Sequence, residues 1–326
     1  MAVNRKRVLI SKALAPAGWN IVKQRDDVEA IPYPPNIAAP ALHALLPDVN
    51  GIILSLTRFG APELAVAPRM EVVARIGVGF DTVDVPALTA RKIPLMTVGL
   101  ANAPSVAEQA FSLLFALAKR NAQHDAAVRA GTWRDQLTVY PSDFLEKTIL
   151  IVGFGRIGTR VAKRALAFEM RTLVYDPYIP AHVLSAAGCE PVADLDAAVA
   201  QADFITVHCP KNAETTSLFD AKRLARMKPT AYLVNTARGG IVNEADLAAA
   251  LTAGKLAGAG IDVFEREPVD TNHPLLKLPN VIVSPHIAGV TVESLDRMAV
   301  AAVENTLSVL DGRPIRENAV NPEVFG

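Results

Sequence analysis

The sequence lacks several features that would each point to a particular class of protein. It carries no net charge, because 33 Lys and Arg residues balance 33 Asp and Glu residues, so nothing favours wrapping nucleic acid or coating an anionic membrane. It has only two cysteines, Cys189 and Cys209, which make no disulfide framework and fit a reducing cytoplasm. The apolar stretch at 110–118 stops at Lys119, too soon to span a bilayer. These absences predict a cytoplasmic protein without nucleic-acid or membrane partners.

Common catalytic and targeting motifs are missing as well. Apart from His286, the histidines show no metal-ligand spacing, so no metal is expected, and there is no nucleophile elbow or Walker-type loop. The basic residues 5–7 precede an apolar run far shorter than the core of a signal peptide. A hydrophobic content of 51% with a mean hydropathy of +0.25 indicates a well-buried globular chain, and 326 residues predict two domains.

One stretch has the pattern of a strand, a glycine turn and a helix. The unbroken apolar run 149–152 is typical of a parallel strand buried on both faces, and it enters Gly153-Phe154-Gly155-Arg156-Ile157-Gly158. Gly153 allows a tight bend, Gly155 lets a pyrophosphate approach the backbone, and Gly158 lets the helix pack on the strand. Free N–H groups and the positive dipole end at the helix start favour an anion there. Glycines are also common in ordinary turns, so the surrounding sequence decides between a nucleotide-binding turn and an ordinary one.

The context is a second apolar run that ends in an acidic residue. Asp176 follows residues 173–175 and lies 18 positions after Gly158. Its carboxylate can accept from both ribose hydroxyls and would repel a 2′-phosphate, so NAD is favoured over NADP.

Strand and helix patterns alternate along the whole chain, which predicts an α/β protein with two wound parallel sheets. Strands are predicted at 7–11, 51–55, 71–76 and 95–98, and again at 149–152, 172–175, 204–208, 231–235, 258–262 and 281–284, with helices between them. The predicted domains are a discontinuous, flavodoxin-like substrate-binding domain at 1–101 and 290–326, and an NAD-binding Rossmann domain at 102–289 inserted into it. The cleft between the two is the expected site.

Helix boundaries can be placed at several positions. Ser105, with Glu108 three residues later, predicts an N-cap for a long helix that runs to about Arg120. Asn243 predicts the start of a later helix and Gly254 its end. A last helix over 292–310 is expected to return to the first domain. Residues 121–147 have little periodicity but hold three aromatic side chains, so we expect them to pack against something, such as a second subunit.

Four polar residues follow strands of the second predicted sheet: Arg238, Asp262, Glu267 and His286. In an open parallel sheet, ligands bind beyond the carboxyl ends of the strands. His286 can supply a proton near neutral pH, and Glu267 would favour the protonated ring and fix its orientation. Two of these residues also have a plainer explanation: Glu267 beside Pro268 could simply start a turn, and Arg238 could simply offset nearby partial charges.

Together, these residues suit the reduction of a 2-oxo acid. The planar fork of Arg238 can hold a carboxylate and a ketone oxygen, and Asp262 can accept from a nicotinamide carboxamide. The chain resembles the D-isomer-specific 2-hydroxyacid dehydrogenase family in its glycine turn with Asp176, in NTARGG at 235–240, in GIDVFEREP at 260–268 and in SPHIAG at 284–289. The resemblance covers nearly the whole chain and extends to glyoxylate/hydroxypyruvate reductases and phosphoglycerate dehydrogenases.

The resemblance implies roles for further residues. His286 would be the acid/base, Glu267 its partner and Arg238 the substrate clamp, while Val78 and Gly79 would present backbone N–H groups to the substrate carboxylate. A plain strand-to-helix turn is the other reading of residues 75–81. The implied cofactor contacts, besides the glycine turn and Asp176, are Cys209, Pro210, Thr215, Ala237, Asp262 and Gly289. Residues 121–147 would be a dimerisation arm, which implies a homodimer.

Some positions depart from the family pattern. Ser55 stands where phosphoglycerate dehydrogenases carry an Arg, which argues against a phosphorylated substrate, although Arg58 is either a site for a second anion or a solvated loop charge. Glu169 replaces a usual glycine at a turn that needs a positive φ.

From the motifs together, we expect an NAD-dependent oxidoreductase acting on a small 2-oxo or D-2-hydroxy acid. The alternative is an NAD-sensing interaction protein similar to the corepressors that share this fold and keep its catalytic residues.

Overall fold

A computed structural model describes residues 5–326, so the first four residues of the predicted range 1–101 lie outside it. The chain divides into two compact units. One unit holds the described residues up to Asn102 together with Val290–Gly326, and the other is Ala103–Gly289. Each unit contains one parallel sheet of its own, so the predicted α/β class with two parallel sheets is confirmed.

The first unit is built on a five-stranded parallel sheet with the order β2-β1-β3-β4-β5. Its elements up to Asn102 are β1 Lys6–Ser11, α1 Pro16–Val22, β2 Val28–Tyr33, α2 Ala39–Leu45, β3 Gly51–Leu54, α3 Ala61–Ala65, β4 Val72–Arg75, α4 Val85–Ala90 and β5 Leu95–Met96. The central strands β3 and β4 are buried at every position, as strands covered on both faces should be.

The second unit is built on a seven-stranded parallel sheet with the order β12-β11-β10-β9-β6-β7-β8. Its elements are α5 Ala103–Ala118, α6 Asn121–Arg129, β6 Thr148–Val152, α7 Gly158–Ala167, β7 Arg171–Tyr175, α8 Ala181–Ala186, β8 Glu190–Pro191, α9 Leu195–Gln201, β9 Phe204–Val207, α10 Ala221–Leu224, β10 Tyr232–Asn235, α11 Glu244–Thr252, β11 Gly258–Ile261 and β12 Val281–Val283. The strand order reverses between β6 and β9, which is the doubly wound arrangement of dinucleotide-binding folds.

The last helix, α12 Val292–Leu310, packs on α1 and on strands β3 and β4 of the first unit. The predicted return of this helix to the first half of the chain is therefore confirmed. Asp311 is its C-cap, and Gly312 follows with a φ of 71°. The buried face of α12 includes Met298, Ala302 and Val303, which join the core beside β1 and β4.

Other predicted helix boundaries have mixed outcomes. The Asn243 side chain accepts from the N–H of Asp246 and Gly254 has a φ of 65°, so both predicted ends of α11 are confirmed. The predicted N-cap at Ser105 is wrong, because α5 begins at Ala103 and Ser105 lies in its first turn. Pro104 is compatible with that turn, since the N–H it lacks would have had no partner within the helix.

Two strands and one helix were not predicted. The strand β2 pairs only with β1 at the sheet edge and contains Pro32, so its sequence lacks the unbroken apolar run of the central strands. The edge strand β8 has only two residues, both exposed. Helix α6 has no buried residue, which explains its weak apolar periodicity. The predicted positive φ at Glu169 is confirmed, at 55°.

Candidate active site

The glycine turn after β6 packs closely at two positions and is open at the third. Gly153 has a φ of 98°, and a Cβ there would lie 2.7 Å from the backbone nitrogen of Cys209. A Cβ at Gly158 would overlap the carbonyl oxygen of Gly153, whereas nothing lies within 4 Å of the corresponding position at Gly155. The backbone is therefore exposed at Gly155, where a pyrophosphate needs to approach.

The start of α7 offers hydrogen-bond donors beside this opening. Across residues 5–326, no protein acceptor is seen for the backbone N–H groups of Gly155 and Ile157. Arg156, between them, is exposed. Since the positive end of the helix dipole adds to these donors, the turn suits a phosphate group.

Asp176 lies directly after β7, next to the glycine turn. One carboxylate oxygen accepts from the N–H of Phe154 at 2.8 Å, and the other accepts from the N–H of Tyr178 at 3.0 Å. The side chain is half-buried, so these bonds fix its orientation while part of it stays accessible. A carboxylate held in this way can accept from ribose hydroxyls and would repel a 2′-phosphate.

Two buried polar atoms lie at the carboxyl ends of β9 and β10. Within the described part of the chain, the Nδ1 atom of His208 and the hydroxyl of Thr236 have no hydrogen-bond partner. The other ring nitrogen of His208 lies 2.8 Å from the hydroxyl of Thr206. Burial lowers the pKa of His208 to about 3, so the ring is neutral. Buried groups of this kind normally have partners, so both are suited to polar groups of a bound dinucleotide.

The segment after β9 carries the remaining residues of the predicted adenine side. Cys209 is half-buried beside Gly153, and burial raises the pKa of its thiol to about 11. The Thr215 hydroxyl donates to the Pro210 carbonyl at 2.6 Å and accepts from the N–H of Asn212 at 2.8 Å. Thr215 therefore shapes the loop through contacts within the protein.

Arg238 follows β10 in a segment that the preceding asparagine holds in place. The Asn235 side chain donates to the Arg238 carbonyl at 2.9 Å and accepts from the N–H of Ala237 at 3.0 Å. Gly239 has no room for a side chain, since a Cβ there would overlap the carbonyl oxygen of Phe264. The half-buried Arg238 thus lies on a segment in direct backbone contact with the loop that carries Glu267.

Glu267 and His286 form the pair that the sequence predicts. Glu267 Oε2 lies 2.8 Å from His286 Nδ1, and Glu267 Oε1 accepts from the N–H of Phe264 at 3.0 Å. Because Nδ1 faces the carboxylate, Nε2 is the ring nitrogen that can exchange a proton with another molecule. His286 has a φ of 52°, and its N–H donates to the Asp262 carbonyl at 2.7 Å. Backbone conformations of this kind are concentrated at functional sites.

The Asp262 carboxylate supports the turn that carries His286. It is fully buried, and it accepts from the Ser284 hydroxyl at 2.5 Å and from the N–H groups of Ile287 and Ala288 at 3.0 Å each. These contacts make Asp262 a support for the turn. The predicted contact with a nicotinamide carboxamide stays a prediction. Gly289, also predicted to line the cofactor, is half-buried at the end of the same turn.

Val78 and Gly79 belong to the first unit, in the loop after β4. The buried Arg75 donates from Nε to the Gly79 carbonyl at 2.8 Å, which ties the loop to the strand that precedes it. No protein acceptor is seen within residues 5–326 for the N–H groups of Val78 and Gly79. These two donors suit an anion, as predicted for the substrate carboxylate.

Three supporting groups are not assigned that role from the sequence. Asn235 lies in the NTARGG motif and Arg75 begins the loop 75–81, but the sequence gives no supporting contact for either side chain. His273 had no recognisable pattern, yet its Nε2 lies 3.0 Å from the carboxylate of Glu244. Only the side-chain contacts reveal these roles.

The fold and the site define a class of protein: a dinucleotide-binding oxidoreductase with a carboxylate–histidine pair. Residues 111–288 match the family model described as D-isomer specific 2-hydroxyacid dehydrogenase, NAD binding domain. The chain is 35% identical over 328 residues to the glyoxylate reductase of Thermofilum pendens, covering 98% of this chain and 96% of that protein. It therefore belongs to the D-isomer specific 2-hydroxyacid dehydrogenase family, with NAD as the cofactor of its second unit, which confirms the resemblance.

Two further comparisons extend this result. The chain is 39% identical over 315 residues to the D-3-phosphoglycerate dehydrogenase of Mycobacterium tuberculosis, covering 96% of this chain but only 58% of that protein. It is similar to the solved structure of D-lactate dehydrogenase from Aquifex aeolicus complexed with NAD and lactic acid, with a TM-score of 0.84 and 27% identity. That similarity covers 98% of this chain and 99% of the other.

Proposed function

We propose that the protein catalyses the reversible reduction of a small, unphosphorylated 2-oxo acid to a D-2-hydroxy acid, with NADH as the reductant. Glyoxylate and hydroxypyruvate are the proposed substrates. The observation that carries the proposal is the 2.8 Å contact between Glu267 and His286 at the carboxyl edge of the NAD-binding sheet. The glyoxylate reductase relative supports the substrate class.

The proposed chemistry assigns one task to each residue. NADH, when bound, supplies the hydride. His286 delivers a proton from Nε2 to the carbonyl oxygen, while Glu267 favours the protonated ring and fixes its orientation. Arg238 holds the substrate carboxylate and the carbonyl oxygen. The backbone N–H groups of Val78 and Gly79 donate hydrogen bonds to the substrate carboxylate. In the oxidative direction, His286 takes the proton back.

The proposal of an unphosphorylated substrate rests on the end of β3. Ser55 follows the strand there, and its hydroxyl accepts from the Ser11 hydroxyl at 3.3 Å. A serine carries no charge to neutralise a phosphate. Arg58, three residues later, is exposed.

A panel of 2-oxo acids tests the proposal by following NADH oxidation. Glyoxylate, hydroxypyruvate, pyruvate and 3-phosphohydroxypyruvate should be compared, with the last expected to be the poorest. His286→Ala should lower turnover by about 10³-fold because it removes the acid/base, whereas the exposed His182→Ala should change nothing. NADH binding without turnover on any 2-oxo acid would refute the proposal in favour of an NAD-sensing protein.

We further propose that the protein is a cytoplasmic homodimer. Within 121–147, five apolar side chains are between 48% and 66% exposed: Val128, Trp133, Val139, Tyr140 and Leu145. Such a group of exposed apolar residues is typical of an interface, and the family resemblance assigns it to the dimerisation arm. Light scattering should give twice the chain mass of 34.7 kDa, and a monomer would exclude this arrangement.

A further inference from the structure

A buried carboxylate lies behind the loop that carries Glu267. Glu244 is the first residue of α11 and is 8% exposed. Its Oε1 atom accepts from the N–H of Glu265 at 2.5 Å, and its Oε2 atom lies 3.0 Å from His273 Nε2. In return, the N–H of Glu244 donates to the Glu265 carboxylate at 3.3 Å. The start of α11 and the loop are thus joined by reciprocal hydrogen bonds.

His273 closes the far side of the same loop. Its Nδ1 atom accepts from the N–H of Leu275 at 3.4 Å, so the proton of the neutral ring is on Nε2 and points at Glu244. The ring stands edge-on to Phe264, with 5.8 Å between the centroids. Glu244 therefore binds the loop at two places, near its beginning and near its end.

The backbone that Glu244 binds is adjacent to the N–H group that binds Glu267. The N–H of Phe264 donates to Glu267 Oε1 at 3.0 Å, and the next N–H along the chain, that of Glu265, donates to Glu244. The Phe264 carbonyl, which shares its peptide unit with the N–H of Glu265, is the group that leaves no room for a side chain at Gly239. A displacement of the Phe264–Glu265 peptide would therefore disturb both Glu267 and the segment that carries Arg238.

We propose that Glu244, assisted by His273, is a positioning residue for the reduction, holding the Phe264–Glu265 peptide so that Glu267 meets His286. This inference rests on the proposed function, because its effect on catalysis passes through Glu267. In the part of the chain that the structure describes, Glu244 forms no hydrogen bond with Glu267 or His286, so its role is indirect.

A purely structural role for Glu244 as an acidic residue in the first turn of α11 is the competing explanation. Asp246 provides a matched control, because it lies in the same first turn and its carboxylate accepts from the N–H of Ala221 at 2.9 Å. Both carboxylates are near the positive end of the helix dipole. Within residues 5–326, the Glu244 carboxylate contacts the loop at 263–273 and the Asp246 carboxylate forms no hydrogen bond with it.

Steady-state kinetics on the full chain separate the two explanations. Glu244→Ala should lower kcat by roughly tenfold, because small misplacements of catalytic groups reduce rates strongly, with the Kd for NADH unchanged. Glu244→Gln should recover part of kcat, since its amide oxygen can accept from the N–H of Glu265. Equal losses of kcat in Glu244→Ala and Asp246→Ala would overturn the proposal. So would a Glu244→Gln enzyme as slow as Glu244→Ala.

Amide hydrogen exchange tests the same inference without any turnover. Glu244→Ala and Glu244→Gln should be compared with Asp246→Ala over a peptide covering 262–272. Exchange at Glu265 should rise by roughly tenfold in Glu244→Ala, less in Glu244→Gln, and not in Asp246→Ala. Unchanged exchange in Glu244→Ala would overturn the positioning role even in an active enzyme. If the wild-type protein reduces no 2-oxo acid, the proposed function fails, but the exchange result still decides whether Glu244 holds the loop.

Discussion

Glu267 and His286 meet through one carboxylate oxygen and one ring nitrogen, 2.8 Å apart. The second oxygen of Glu267 is held by the N–H of Phe264, so the carboxylate cannot rotate freely. The orientation of the imidazole is thus determined by a side chain that the backbone itself orients. Such pairs are how a histidine is kept in one tautomer for proton transfer.

Replacing the charge of Glu267 should separate catalysis from cofactor binding. Glu267→Gln keeps the shape of the side chain but no longer favours the protonated ring, so kcat for reduction should fall by about 10²-fold with the Kd for NADH unchanged. Fluorescence titration and steady-state kinetics measure the two quantities. Asp270→Asn, in the same loop and exposed, serves as the control. A Glu267→Gln enzyme within twofold of the wild type would show that the pair is only structural.

Asp262 should be a stability residue of the His286 turn. Asp262→Asn puts an NH₂ group where an acceptor is needed, so at least one of the three donors loses its partner, at a cost of about 1–3 kcal/mol in the free energy of unfolding. Ser284→Ala removes only one of these donors and should cost less. Urea unfolding of both variants measures the difference. Asp262→Asn with wild-type stability would contradict this assignment.

Asp176 should determine the choice between NADH and NADPH. Asp176→Asn retains an acceptor for one of the two N–H groups it now binds but removes the charge that repels a 2′-phosphate. The ratio of the Kd values for NADPH and NADH should fall by roughly tenfold, since about 1.4 kcal/mol of repulsion corresponds to that factor. Glu190→Gln, an exposed carboxylate of the same unit, should leave the ratio unchanged. A constant ratio in Asp176→Asn would disprove the assignment.

His208, whose Nδ1 atom is buried, should make the protein less stable in acid. Burial lowers its pKa in the folded state from 6.5 to about 3, so the ring is neutral in both states above pH 6.5. Below that pH the unfolded chain takes up a proton that the folded chain does not. The free energy of unfolding should therefore decrease by about 2 kcal/mol as the pH is lowered from 7 to 5. His208→Asn should show a smaller decrease, which chemical denaturation at both pH values measures. The exposed His182→Asn should follow the wild type, and an identical loss in all three would exclude His208 as the cause.

The parts of the fold that were predicted correctly are those in which local sequence and tertiary structure agree. Strand β6 and the glycine turn after it combine an unbroken apolar run with residues that only a close backbone contact requires. The edge strand β2 and the exposed helix α6 carry no such signal, because β2 mixes buried and exposed residues and α6 has no buried residue. Their formation depends on neighbours that are distant in the sequence.

In the candidate site, too, residues in local motifs could be predicted and residues defined by distant contacts could not. Arg238, Glu267 and His286 could be proposed from the sequence because each follows a strand and lies in a recognisable motif. Glu244 could not, because an acidic residue at the start of a helix is expected for reasons of helix stability alone. Its partners Glu265 and His273 lie 21 and 29 residues away in the chain, and no local sequence pattern predicts these contacts.

The tight contact between Gly239 and the Phe264 carbonyl has a consequence for engineering the substrate range. Residues 236–240 and 263–268 pack against each other through their backbones. If one of these segments is replaced by that of a relative, the other would have to be replaced with it. Saturation mutagenesis at position 239 should return glycine alone among active clones. Under the proposed function, variation of the substrate is better directed at Ser55 and Arg58, which lie on a separate loop of the first unit.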